Sequence, residues 1–144
     1  MPQESSLHEI FAARAQENPN HVAVIAGDQQ ITYGELNKKS DRLARRLIRR
    51  GVKREDIVGI CVDRSIEMIV GLLAILKAGG AYLPIDPIYP KNRIRFLIED
   101  SQAALVLTVS RVAVSLEDSG VKIELIDDQD QFLDLLPPRP NERL

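Results

Sequence analysis

The stretch DIVGICVDRSIEMIVGLLAILKAGGAYLPIDP, Asp56 to Pro87, decides the fold. Ile57 to Val62 is an unbroken apolar run of strand length, the signature of a strand buried on both faces of a parallel sheet. Ser65 to Ala78 has helix length and is apolar nearly all round, so it predicts a central, packed helix. Gly79 stops that helix, and Ala81 to Ile85 supplies a second strand. Strand, helix and strand within about thirty residues form a βαβ unit.

The order of these pieces settles the role of the double glycine. A phosphate-gripping loop runs from a strand into a helix, so that the helix's free N-terminal amides face the anion. Here the helix comes first, and its C-terminal end, negative by its dipole, meets Gly79-Gly80. The pair is a helix stop. Neither G-x-G-x-x-G nor G-x-x-x-x-G-K-[ST] occurs in the chain.

Upstream, Leu7 to Ala15 predicts a short helix with Leu7, Ile10, Phe11 and Arg14 on one face, ended by Pro19. HVAVIAGDQQITY predicts two strands joined at Gly27-Asp28, where glycine at the first central position suits a type II′ turn. In ITYGEL, Thr32 and Glu35 form a capping box, and Ile31 with Leu36 forms the matching hydrophobic staple. The helix they open runs to about Arg50, buries Leu36, Leu43, Ala44, Leu47 and Ile48, and stops at Gly51.

Downstream, a helix starts with Pro90 at its first position and buries Ile94, Leu97 and Ile98. Ala104 to Val109 and Lys122 to Ile126 predict two more strands, with a short helix in SRVAVSLEDSG between them. The fold class is α/β, a mostly parallel sheet with flanking helices, preceded by a helix and a β-hairpin. Residues 1–136 read as one domain portion and 137–144, with Pro137, Pro138 and Pro140, as an irregular tail.

Composition narrows the function. The net charge of −2 gives no overall attraction to nucleic acid or to an anionic membrane. No secretory leader is visible, and the longest apolar run, Met68 to Leu76, is too short to span a bilayer, so a cytoplasmic location is expected. Cys61 is the one cysteine, which excludes an internal disulfide, and its mid-strand position predicts a buried, inert thiol.

Four groupings invite a functional reading. Lys38, Lys39, Arg42, Arg45, Arg46, Arg49, Arg50, Lys53 and Arg54 could line a phosphate backbone, but a solvated helix face is the plainer reading. Asp127 to Asp130 lacks the spaced ligands, glycine and final glutamate of a calcium loop and reads as a turn. His8 and His21 lie away from the βαβ core, with no nucleophile elbow in the chain. Asp63, Arg64, Ser65 and Asp86 sit at strand C-termini, where open α/β sheets bind small ligands.

The motifs carry a resemblance. LKAGGAYLPIDPIYPKNRIRFLIEDSQ, Leu76 to Gln102, resembles the second core motif of amino-acid adenylation domains of nonribosomal peptide synthetases and its continuation. ITYGELNKKSDRLARRL resembles their first core motif, and LHEIFAARAQENPNHVAVI their opening. The resemblance runs from Leu7 to about Phe132 and favours amino-acid-activating domains over other members of the acyl-adenylate-forming superfamily.

It implies an enzyme that joins an amino acid to AMP using Mg-ATP and passes it to the phosphopantetheine thiol of a carrier domain. It also implies that the phosphate loop, substrate pocket and catalytic lysine belong to segments beyond Leu144. No catalytic, cofactor-binding or metal residue is then expected in this chain, which supplies scaffold. Expected partners are the remainder of the adenylation domain and the parent's carrier and condensation domains, with no nucleic acid and no membrane. The alternatives are a freestanding complementing subunit and a small-ligand-binding α/β domain. The early hairpin and its helices are expected to be poorly supported, leaving apolar surface that favours self-association. Asp86 is expected to bond to a helix N-terminus or to Arg93.

Overall fold

A computed structural model describes residues 7–126. The chain forms α1 (Leu7–Glu17), a hairpin of β1 (Val22–Ala26) and β2 (Gln29–Thr32), α2 (Tyr33–Arg49), β3 (Ile57–Cys61), α3 (Ile66–Lys77) and β4 (Ala81–Ile85). It continues with α4 (Lys91–Ser101), β5 (Leu105–Thr108), the single turn α5 (Ser110–Ala113), a 3₁₀ turn (Val114–Ser119) and β6 (Ile123–Leu125). The Pro-rich tail and Asp127 to Asp130 lie outside the described residues.

β3 to β6 form one parallel sheet in the order β4-β3-β5-β6. Alternation along the strands sends side chains to two cores. Val58, Ile60, Leu105 and Leu107 face α2 and α3. Cys61, Ile85 and Val106 pack with Ile94 and Ile98 of α4 and Leu116 of the 3₁₀ turn. Helices thus cover both faces of the sheet, as parallel strands require.

The local signals act as their chemistry dictates. The Thr32 hydroxyl accepts from Glu35 N at 3.2 Å, and the Glu35 carboxylate accepts from Thr32 N at 3.5 Å. Ile31 and Leu36, the staple, are both buried. Gly27 has positive φ and Asp28 does not, the sign pattern of a type II′ turn. At the end of α3, Gly79 N bonds to Leu76 O at 3.0 Å and Gly80 N to Ile75 O at 2.9 Å. This is a Schellman stop, and Gly79 adopts the φ of +89° that it demands.

Several expectations need correction. α2 is not poorly supported: Leu36, Ser40, Leu43, Ala44 and Leu47 are buried, and the helix lies along α3. The hairpin's outer side stays open, with Ile25 69% exposed, and so does much of α1, with Ile10 49% exposed. Ile10 is exposed rather than on the inner face of α1, which turns Ala15 inward instead. Pro90 occupies the N-cap of α4, one position earlier than expected, and its carbonyl accepts from Arg93 N and Ile94 N.

Candidate functional site

The chain reverses direction across the sheet at β3: β4 lies to one side, and β5 and β6 to the other. Open α/β sheets bind ligands at the C-terminal end of such a switch point. Here that end carries Asp63, Arg64 and Ser65 after β3 and Arg111 after β5. Arg111 Nη2 lies 3.3 Å from Asp63 Oδ2, so an exposed ion pair bridges the switch point. Ser65 is fully occupied as the N-cap of α3: its hydroxyl donates to Asp63 O at 2.9 Å and accepts from Met68 N at 3.2 Å. A serine so engaged is a structural cap and lacks the adjacent base that would activate a nucleophile.

An open groove of about 860 Å³ separates the hairpin turn, Ile25 to Gln29, from the first turns of α3. Arg64, Ser65 and Arg111 line it, whereas Asp63 and Asp86 do not. The four crevice residues read from the sequence are therefore split. Asp86 serves its own turn: Oδ1 accepts from Ile88 N at 3.0 Å and its carbonyl accepts from Tyr89 N at 3.0 Å. The expected bond to a helix N-terminus or to Arg93 is not made. Arg93 instead stacks over the Tyr89 ring, 5.6 Å from its centroid.

Cys61 is 0% exposed. Burial, with smaller contributions from Asp86 and Asp63, pushes its thiol from 9.0 up to about 11. The folded chain thus keeps the proton to higher pH than the unfolded chain does. This contribution is fully present below pH 9 and is lost as pH rises through about 11. At 1.36 kcal/mol per pH unit it amounts to roughly 2 to 3 kcal/mol. Urea unfolding of the wild type and of Cys61→Ala at pH 8 and pH 11 checks this. The stability gap between the two proteins should shrink by roughly that amount, and a constant gap would exclude it.

The basic cluster on α2 is more than a solvated face. Arg50 Nη1 lies 2.6 Å from Glu124 Oε1 and Arg46 Nη1 3.3 Å from Glu124 Oε2. Arg46 Nη2 also donates to Leu125 O at 3.2 Å. These arginines tie α2 to β6. His21 contributes its carbonyl, which accepts from Tyr33 N at 2.9 Å. Among the described residues, no three His, Cys, Asp or Glu side chains gather as a metal site.

One polar centre escaped the sequence reading. Lys77, on the last turn of α3, is only 5% exposed. Its ammonium lies 2.5 Å from Asp41 Oδ1, 2.8 Å from Asn37 Oδ1 and 2.8 Å from Ser40 Oγ, all on α2. Ser40 in turn donates to Leu36 O at 2.8 Å. Burial lowers the Lys77 pKa below 10.5, and Asp41 opposes that shift. The visible signal was a lone cation in an apolar helix, with an aspartate on the facing one.

The AMP-binding enzyme family matches residues 11–142. The chain is 50% identical over 124 residues to bacitracin synthase 2 of Bacillus licheniformis, covering 86% of this chain and 5% of that protein. It is 45% identical over 133 residues to tyrocidine synthase 3 of Brevibacillus parabrevis, covering 90% of this chain and 2% of that one. The chain thus spans a small part of the curated relatives it matches. Its fold superposes on the crystal structure of the nonribosomal peptide synthetase FmoA3 with a TM-score of 0.82 at 33% identity, covering 96% of this chain and 15% of that one. FmoA3 has also been solved with α-methyl-L-serine-AMP bound, where the TM-score is 0.77 at 37% identity over 84% of this chain and 14% of that one.

Proposed function

The chain belongs to the AMP-binding enzyme family, and from that premise we propose that it is the opening portion of the large lobe of an amino-acid adenylation domain. The parent enzyme joins an amino acid carboxylate to the α-phosphate of Mg-ATP, forming aminoacyl-AMP and releasing pyrophosphate. A carrier domain's phosphopantetheine thiol then takes the aminoacyl group and AMP leaves. The observation that carries this reading is the continuous likeness to peptide synthetases along the described chain, one of which holds an amino-acyl adenylate. Partners on this reading are the remainder of the adenylation domain and the parent's carrier and condensation domains. A cytoplasmic setting accords with it; among the described residues no helix is long and apolar enough to cross a membrane.

Within that enzyme this portion supplies framework. Signal residues of both matched motifs are engaged in structure: Thr32 and Glu35 cap α2, Gly79 and Gly80 stop α3, and Asp86 closes a turn. Lys77 is consumed by α2 and Ser65 by α3, which leaves neither as a nucleophile or base. The 144-residue chain alone is therefore expected to show no amino-acid-dependent exchange of pyrophosphate into ATP. Exchange above background with any of the proteinogenic amino acids would overturn the scaffold assignment.

A further inference from the structure

β4 is an outer strand of the sheet, and its sequence Ala-Tyr-Leu-Pro-Ile is apolar and uncharged. Tyr82 is 47% exposed. Among the described residues nothing pairs with its outer side. Such an edge is a template on which another strand can add. The opposite outer strand, β6, is only three residues long, and its Glu124 is held by Arg46 and Arg50. The exposed liability is β4.

The register shows how that liability is met. Ala81 N bonds inward to Asp56 O at 2.8 Å. Backbone direction alternates along a strand, so residues 81, 83 and 85 address β3, while 82 and 84 address the outside. Pairing with β3 runs unbroken from Ile57↔Ala81 to Cys61↔Ile85. Pro84 therefore falls on an outward position, where its missing N–H costs the sheet no bond. At residue 83 or 85 the same proline would delete a bond to β3. Tyr82 is left as the one outward donor in the strand, and an incoming strand needs donors and acceptors on alternate residues.

We propose that Pro84 closes the β4 edge to a second copy of this chain, letting an apolar strand stay in the sheet without recruiting its like. This is independent of the adenylation reading. The test compares the 144-residue wild type with Pro84→Thr and Pro84→Lys by sedimentation velocity at matched concentrations. Pro84→Thr restores the amide on a polar, strand-favouring side chain and is expected to self-associate about tenfold more tightly than the wild type, the factor that one net hydrogen bond supplies. Pro84→Lys restores the amide but sets a charge on the edge, and is expected to match the wild type. Equal association of Pro84→Thr and wild type would overturn the proposal. So would loss of folding in Pro84→Thr, because an outward amide leaves the β3 ladder untouched.

Discussion

Lys77→Ala is expected to lower the unfolding free energy by about 3 to 4 kcal/mol, the penalty for breaking a buried ion pair from one side. The ammonium bridges three α2 residues, and its removal strands Asp41, whose side chain is only 30% exposed. The lysine stem also fills space between two helices that form the largest helix contact in the core. The urea midpoint should fall with an unchanged m-value. Lys77→Ala combined with Asp41→Ala should cost less than the sum of the single changes, by about 1 to 3 kcal/mol. Strict additivity would mean that the pair contributes nothing as a pair. The pH dependence has its own sign. Burial lowers the folded Lys77 pKa, so the unfolded chain holds that proton to higher pH. The lysine's contribution therefore rises as pH climbs toward 10.5, opposite to that of Cys61, and Lys77→Ala removes the rise.

This lysine also marks where the sequence stopped being readable. Periodicity and end signals located α2, α3 and the strands closely, because capping, stopping and strand burial are local: Thr32 needs only Glu35, and Gly79 only the turn before it. The motif residues likewise pointed to the family whose likeness the comparisons show. What failed were side-chain destinations set by partners distant in sequence. Lys77 finds Asp41 thirty-six residues away, and Arg50 finds Glu124 seventy-four away. Asp86 chose a bond two residues on over the more distant Arg93, since a short side chain reaches its own turn first. Pro84 was legible and passed over, for a proline inside a strand run argues for an edge. The poor support expected for α2 overlooked that its partner, α3, lies within the same stretch of chain.

Gly71→Val is expected to cost about 3 kcal/mol, at the upper end for overpacking a core. Gly71 sits mid-helix in α3, where glycine lowers helix stability by about 1 kcal/mol relative to alanine. Packing explains its presence. A Cβ built there would lie 2.6 Å from Ile60 Cδ1 and 3.2 Å from Ile126 Cδ1. The first atom belongs to the buried centre of β3, and the second lies just past the end of β6, so the glycine lets α3 approach both. An added branched side chain must lift the helix or force Ile60 out of its rotamer. A paired change tests this contact directly. Ile60→Val removes the clashing methyl and alone should cost about 1 kcal/mol. Gly71→Ala refills the vacated space and recovers helix propensity, so the double variant should be more stable than either single one. Thermal or urea unfolding of the four proteins reads the coupling. If Gly71→Val is tolerated within about 0.5 kcal/mol, the range of ordinary surface changes, then α3 is not held against the sheet at this glycine.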